Sequence, residues 1–258
     1  MLVNTNFSSP NFSERTAPIE YVILHFTEML FEDALTRLCA KEHEVSAHYI
    51  IKEDGEIFQL VDDKNLAWHA GESSWHGKGK LNQNSIGIEL DNLGNKTFSK
   101  AQMNSCIELC KTLSIRYNIP KENFIGHSDI APDRKIDPGI FFDWELLYKY
   151  GLGVWHKVEP PSIDTILYEF GVVGKNIGKI QSKLKKLGYK IAITENFDQQ
   201  TNYIIRAFQS KFCPHIIEKL GIEYYNDPNS KYSWNSYSDN VLNDLIGTAR
   251  QRLSREII

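Results

Sequence analysis

Three short stretches of this sequence carry side chains that bind metal ions. His25 stands near the end of an apolar run, His127 follows Gly126, and Asp137 lies in a loop rich in Pro and Gly. Two histidines and a carboxylate, with a fourth position left for water, form a recurring catalytic zinc arrangement. Imidazole and carboxylate ligands suit zinc without any thiolate. Because side chains at strand ends and in loops often converge, His25, His127 and Asp137 are candidate zinc ligands.

Each of these residues also fits an ordinary structural role. A single histidine on a strand is commonly a hydrogen-bonded core group. An aspartate in a loop rich in Pro and Gly, such as Asp137, is commonly a turn residue. Spacing alone therefore leaves both interpretations of the three residues open.

A carboxylate in the middle of an apolar run is a further candidate. The alternation along Ser85–Leu90 places three aliphatic side chains on one face of a strand, and Ser85, Gly87 and Glu89 on the other. A carboxylate among apolar neighbours is costly unless it has a partner. Gly87 beside it leaves room for a ligand to approach. The alternative is an exposed strand face with Glu89 in water.

The hydrophobic pattern predicts the elements that position these residues. Apolar, β-favouring runs predict strands, and Asp54-Gly55 predicts a hairpin turn between two of them. The predicted strands are 21–26, 48–52, 56–61, 85–90 and 123–126, and the predicted helices are 28–42, 99–117 and 142–150. Strands interleaved with helices predict an α/β fold, with a mixed central sheet flanked by helices.

The composition changes near residue 155, and Pro160-Pro161 marks a plausible linker. We therefore expect two domains, 1–157 and 158–258. In the second, apolar residues at helical spacing predict a helix that ends at Gly188 and another that begins near Asp198. A third helix is expected over 239–253. These patterns predict a small all-α, three-helix domain.

Composition limits the classes of function. The chain has 258 residues, 41% hydrophobic and 24% charged, which excludes a mainly disordered chain. The net charge of −4 combines an excess of seven acidic groups in residues 1–159 with an excess of three basic groups in residues 160–258. This balance argues against a nucleic-acid partner, which usually meets a basic face. The sequence leaves the oligomeric state open.

The sequence predicts no transmembrane segment, because no apolar run is long enough to span a bilayer. Its first ten residues lack a basic region followed by an apolar region, so no signal peptide is expected. As the sequence stands, a cytoplasmic location is expected. A periplasmic or secreted location, by another route or after removal of a leader, stays open.

Six motifs in order carry a resemblance to a known family. They are His25, Val45-Ser46-Ala47-His48-Tyr49, Ala67-Trp68-His69-Ala70-Gly71, Asn84-Ser85-Ile86-Gly87-Ile88-Glu89, Gly126-His127-Ser128-Asp129-Ile130-Ala131-Pro132 and Arg134-Lys135-Ile136-Asp137-Pro138-Gly139. Over residues 20–150 the chain resembles the zinc-dependent N-acetylmuramoyl-L-alanine amidases. That class includes AmpD-like and AmiD-like enzymes, amidase-type phage lysozymes and peptidoglycan recognition proteins.

The resemblance implies an activity and a set of roles. The reaction would be hydrolysis of the amide between N-acetylmuramic acid and L-alanine, in peptidoglycan or in muropeptides. His25, His127 and Asp137 would be the Zn²⁺ ligands. Glu89 would be the catalytic acid and base, and Lys135 the cation near the developing oxyanion.

The resemblance also implies substrate-binding residues in the wall of a groove, namely His48, Trp68, His69 and Ala70. His48 is alternatively a supporting polar group near the metal, and Trp68 fits packing at the rim equally well. Some phage relatives have a catalytic tyrosine before the residue that matches His48. Ala47 stands there in this chain, so no tyrosine-assisted step is expected.

The second part of the chain is similar to the small three-helix peptidoglycan-binding domain. Wall binding and a scaffold role are both open for it. Two other functions compete with an amidase. A non-catalytic peptidoglycan-recognition module would lack the metal-binding set. A zinc peptidase would usually carry His-Glu-x-x-His on a helix, and that motif is absent from the sequence.

Overall fold

The computed structural model describes residues 2–253, with the side chains of residues 2–248. The strands are β1 (Val3–Asn4), β2 (Phe12–Glu14), β3 (Tyr21–Phe26), β4 (Tyr49–Ile51), β5 (Ile57–Gln59), β6 (Asn65–Ala67), β7 (Ser74–Trp75), β8 (Lys78–Gly79), β9 (Ser85–Leu90), β10 (Phe124–Gly126), β11 (Ile166–Tyr168) and β12 (Trp234–Asn235). The helices are α1 (Phe31–Cys39), α2 (Lys100–Tyr117), α3 (His127–Ile130), α4 (Trp144–Lys149), α5 (Lys175–Leu187), α6 (Gln199–Phe212), α7 (Pro214–Leu220), α8 (Ile222–Asn226) and α9 (Ser236–Leu253).

A six-stranded mixed sheet forms the centre, in the order β1-β5-β4-β9-β3-β10. Strand β3 is parallel to both of its neighbours, β9 and β10, whereas β4 and β5 form the antiparallel pair of the predicted hairpin. The prediction of a mixed sheet flanked by helices and followed by a helical region is confirmed.

Alternation along β3 divides the sheet into two faces. Val22, Leu24 and Phe26 belong to a buried cluster that includes apolar residues of α2. The side chains between them, including Ile23 and His25, point to the opposite face. That opposite face holds the candidate metal ligand on β3.

Helix boundaries follow local signals, some of which the sequence predicted. Ser99 caps α2 by accepting a hydrogen bond from the Gln102 amide, as its position predicted. The helix predicted over 28–42 is shorter, because Glu28 has a φ of 59° and the helix begins only at Phe31. A turn of 3-10 helix over Lys41–His43 follows it.

Residues 166–253 form a helical region around α5, α6 and α9. Gly188 ends α5 and Asp198 caps α6, both as predicted. The region also contains an antiparallel pair, β11 with β12, which the helical pattern did not predict. The long aromatic segment before α9 forms α7 and α8.

The helical region and the sheet share one hydrophobic cluster. Buried residues of this cluster come from the sheet face that carries Ile23 and from α5, α6 and α9. At the junction the rings of Trp75 and Tyr189 meet edge to face, with centroids 5.0 Å apart. None of the helices within residues 2–253 combines the length and the apolarity that crossing a bilayer requires.

Candidate functional site

Three predicted ligand atoms meet at one point on the sheet. Nδ1 of His25 lies 2.9 Å from Nδ1 of His127 and 2.9 Å from Oδ2 of Asp137. Nδ1 of His127 lies 3.0 Å from the same carboxylate oxygen. Pairing of β10 with β3 brings the histidines together. It sets Gly126, the last residue of β10, beside Leu24, so that the residues that follow these two, His127 at the start of α3 and His25 on β3, lie at the same edge.

A chain of hydrogen bonds fixes the tautomer of His25. The Ser85 hydroxyl donates its proton to the Leu81 carbonyl at 2.6 Å, so its oxygen accepts from Nε2 of His69 at 3.1 Å. Nδ1 of His69 is then an acceptor, 3.0 Å from Nε2 of His25. His25 therefore carries its proton on Nε2 and presents a lone pair on Nδ1.

A hydrogen bond also sets the tautomer of His127, again with the proton on Nε2. Its Nε2 lies 3.2 Å from the Ala70 carbonyl, which can only accept, so Nδ1 carries the lone pair. Such outer hydrogen bonds are the usual means of orienting a metal-binding histidine.

These atoms fit a metal ion. Two imidazole lone pairs and a carboxylate oxygen lie within hydrogen-bond distance of one another with no proton to share, an arrangement that a cation at their centre would relieve. His25, His127 and Asp137 are buried, and their ligand atoms all lie within 4.8 Å of one another. The donor set, two nitrogens and one oxygen, is one that zinc accepts and that leaves a coordination position open.

The electrostatics agree with a neutral His25 beside a charged Asp137 carboxylate. Burial, together with the neighbouring His127, lowers the pKa of His25 to about 4. Burial alone would raise the pKa of Asp137, but the two histidines outweigh it and lower that pKa below its ordinary value. Ligands in these protonation states are ready to bind a cation.

Glu89 lies beside this cluster. The register of β9 against β3 pairs Glu89 with His25, so both side chains leave the same face. Burial, and then the charge of Asp137, raise the pKa of Glu89 well above 4.5, while the charge of Lys135 opposes them. Oε2 of Glu89 is buried and has no hydrogen-bond partner among the described residues. Such a group is available for a proton or a ligand.

The cluster opens into a cavity of about 590 Å³. His25, His127, Asp137, Glu89 and Lys135 all line it. The structure therefore brings together the five residues expected to form the metal and catalytic set.

Of the four expected substrate-binding residues, Trp68 and His69 line the same cavity, whereas His48 and Ala70 do not. His48 is fully buried, and its Nδ1 accepts a hydrogen bond from the Gly87 amide at 3.0 Å. Ala70 is also fully buried, and its carbonyl holds His127. Both residues are absent from the cavity lining and position other groups, so their contact with substrate stays a prediction.

The space above Gly87 has a different occupant from the one expected. A Cβ at Gly87 would lie 2.4 Å from Cγ of His69. The glycine therefore makes room for the His69 ring, and through that ring for the hydrogen-bond chain to His25. From the sequence, Gly87 was expected to leave room for a ligand. In the structure that room is filled by the His69 ring.

A buried ion pair ties the helical region to the metal site. Nζ of Lys211, on α6, lies 2.6 Å from Oδ2 of Asp129, and the two side chains are 4% and 1% exposed. Asp129 is on α3, two residues after His127, and also accepts from the Gly126 amide at 2.9 Å. The Tyr189 hydroxyl donates to its other oxygen at 2.8 Å. Sequence reasoning missed this pair, because nothing local in the sequence links residues so far apart.

Comparison with known proteins agrees with this geometry. A family model described as N-acetylmuramoyl-L-alanine amidase matches residues 15–140, and one described as a putative peptidoglycan binding domain matches residues 173–216. The N-acetylmuramoyl-L-alanine amidase AmiD of Escherichia coli is 34% identical over 220 residues, which cover 77% of this chain and 76% of that protein. The chain belongs to the N-acetylmuramoyl-L-alanine amidase family.

Other members of the amidase family show the same likeness. The 1,6-anhydro-N-acetylmuramyl-L-alanine amidase AmpD of Haemophilus influenzae is 46% identical over 102 residues, or 39% of this chain and 55% of that protein. A solved structure of E. coli AmiD, in complex with anhydro-N-acetylmuramic acid-L-Ala-D-γ-Glu-L-Lys, superposes with a TM-score of 0.71 at 28% identity. It covers 92% of this chain and 98% of AmiD. The resemblance inferred from six motifs is confirmed.

Proposed function

We propose that this protein is a zinc-dependent N-acetylmuramoyl-L-alanine amidase. It hydrolyses the amide between N-acetylmuramic acid and L-alanine in peptidoglycan or muropeptides. The observation that carries the proposal is the meeting of His25, His127 and Asp137 at one point, with Glu89 beside them on the neighbouring strand. Family membership and the substrates named for AmiD and AmpD support the choice of bond.

His25, His127 and Asp137 would hold the zinc ion. When bound there, zinc lowers the pKa of a coordinated water to about 7 and polarises a carbonyl oxygen. His69 and the Ala70 carbonyl keep the lone pairs of the two histidines aimed at the centre, since each binds the opposite ring nitrogen. These hydrogen bonds thus hold both rings in the orientation that zinc binding would use.

Glu89 moves the proton. As a carboxylate it accepts a proton from the attacking water, and as a carboxylic acid it passes that proton to the nitrogen of the leaving L-alanine. Its raised pKa favours the protonated form, which is the form that donates to the leaving nitrogen. The unpartnered Oε2 is the atom available for the transfer.

Lys135 supplies positive charge at the cavity wall. It lines the same cavity two residues before Asp137. A fixed cation placed where negative charge develops on the carbonyl oxygen stabilises the transition state. The loop that carries Lys135 and Asp137 thus contributes both a ligand and a cation.

Mass spectrometry of muropeptide digests tests the proposal. With added zinc, the protein should release intact stem peptide and free muramyl sugar, and a chelator should abolish the reaction. A non-catalytic recognition module would bind the muropeptide without cleaving it, and a peptidase would shorten the stem. Either of those results, or full activity with the metal removed, contradicts the assignment.

A further inference from the structure

The helical region reaches into the catalytic cavity. Arg206 on α6, and Asn226 and Pro228 after it, line the same cavity as His25 and Glu89. The cavity wall is therefore built from both parts of the chain. Among these three residues only Arg206 carries a charge.

The surroundings of Arg206 offer its charge an aromatic ring but no carboxylate: the centroid of the Tyr203 ring lies 5.6 Å from the guanidinium carbon. Its side chain packs beneath the surface, and the whole residue is 5% exposed. Nη2 donates to the Pro132 carbonyl at 2.8 Å. Among the residues whose side chains are described, no carboxylate lies within ion-pair distance of this guanidinium. Its other two nitrogens, Nε and Nη1, form no hydrogen bond with the described residues, and Arg206 lines the cavity.

A nearly buried cation without a counter-ion is energetically unfavourable, because it has lost water without gaining an opposite charge. Such a group in a cavity indicates a site for an anion. The planar guanidinium donates to Pro132 through one N–H of Nη2, which leaves a bidentate N–H edge that suits a carboxylate in particular. Two other arginines line the cavity: Arg134 already donates to the carbonyls of Ala70 and Glu72, and Arg37 is exposed and therefore keeps its water.

We propose that Arg206 binds a carboxylate of the stem peptide and makes the helical region a determinant of substrate specificity. The inference rests on the proposed amidase function. The leaving group of that reaction is a peptide with two candidate carboxylates. One is the free α-carboxylate of a γ-linked D-glutamate, and the other is the carboxylate at the end of the stem.

Three synthetic substrates separate these sources. They are N-acetylmuramyl-L-Ala-γ-D-Glu-L-Lys, the same compound with the glutamate α-carboxylate amidated, and the same compound with the terminal carboxylate amidated. One of the two amidations should lower kcat/KM of the wild-type enzyme roughly tenfold to a hundredfold, the loss expected for one charge-assisted hydrogen bond. That amidation identifies the carboxylate.

Variants connect the preference to Arg206. R206M should lower kcat/KM on the free-acid substrate by a similar factor and should no longer distinguish it from the sensitive amide. R206K, which keeps the charge but not the planar fork, should retain part of the preference and serves if R206M folds poorly. K186M is the matched control, since Lys186 is an exposed cation of the same region, and it should keep the full wild-type preference.

Two results would overturn the inference. One is an equal loss on all three substrates in R206M, together with a lower zinc content, because Arg206 would then act only by holding the loop from Pro132 to Asp137. The other is a wild-type enzyme that cleaves all three substrates equally well. Failure of the wild-type enzyme to cleave any of them overturns the proposed function itself.

Discussion

Glu89 stands directly beside His25 in the parallel ladder of β9 and β3. Backbone pairing therefore fixes the distance between the proposed proton carrier and a proposed zinc ligand, and no loop intervenes. Adjacent strands in a sheet are about 4.8 Å apart, which places the two side chains within reach of one bound water and substrate amide.

Replacing the carboxylate of Glu89 should separate chemistry from metal binding. We expect E89Q to bind zinc as the wild type does but to lower kcat by roughly 10²–10⁴, the usual contribution of a positioned acid–base group. Steady-state assays together with zinc analysis by mass spectrometry check this. E42Q, which removes an exposed carboxylate, should leave both quantities unchanged. Wild-type turnover in E89Q would refute the assigned role.

The buried His48 should make stability depend on pH. Burial, and then the charge of Arg15, lower its pKa from 6.5 to about 3. The unfolded chain binds a proton at this residue as the pH falls below 6.5, while the folded chain does not, so stability is lost in the range from 6.5 down to about 3.

In H48N, the side-chain oxygen of the asparagine can accept the hydrogen bond from the Gly87 N–H in place of Nδ1. The variant has no imidazole at this position to take up a proton. The free energy of unfolding should therefore fall with decreasing pH more steeply in the wild type than in H48N, by about 1.4 kcal/mol for each pH unit below the unfolded pKa. Urea titrations at several pH values measure both slopes. Parallel slopes in the two proteins would show that His48 is protonated in the folded state.

Gly188 allows the helical region to approach the sheet closely. Its φ is +132°, and a Cβ there would lie 2.5 Å from the Trp75 ring. We expect G188A to lower the free energy of unfolding by about 1–3 kcal/mol through overpacking. G171A is the matched control, since Gly171 has a φ of +90° but nothing within 4 Å of the added methyl group. Thermal melts measure the stability of both variants. If G188A and G171A lose equal stability, the effect comes from backbone strain alone.

The buried pair of Lys211 and Asp129 should behave as a coupled unit. K211M leaves an unpaired buried carboxylate, so we expect a loss of about 3–5 kcal/mol in the free energy of unfolding. The double variant K211M/D129N should lose less than K211M alone, because the uncompensated charge is gone. A double-mutant cycle measured by urea unfolding gives the coupling, and additive losses would indicate that the two groups act independently.

The periodic elements of the fold could be predicted from the sequence. The strand Ser85–Leu90 was predicted with its observed bounds, because six residues of alternating pattern specify both the strand and its buried face. The cap at Ser99 follows from one side chain and the helix next to it. The two-residue strand β12 could not be predicted, since it forms only through pairing with β11 across a long stretch of sequence.

The same distinction holds for the site. His25 and His127 were candidates from residue type, but their meeting depends on the pairing of β3 with β10, which local pattern does not specify. The family resemblance, and not the local sequence pattern, predicted that these residues meet at one site. Arg206 gave no signal at all, because a single arginine on an amphipathic helix is ordinary until the fold sets it in the cavity.

The cluster in which Trp75 and Tyr189 meet limits how this protein can be divided or recombined. A chain cut between the two parts would leave Trp75 and the Ile23 face of the sheet uncovered, and Asp129 without its cation. We therefore expect the helical region and the sheet to unfold together, as one cooperative unit. Exchange of such regions between enzymes by gene fusion would preserve the catalytic half only if the matching surface around Trp75 and Asp129 were exchanged as well.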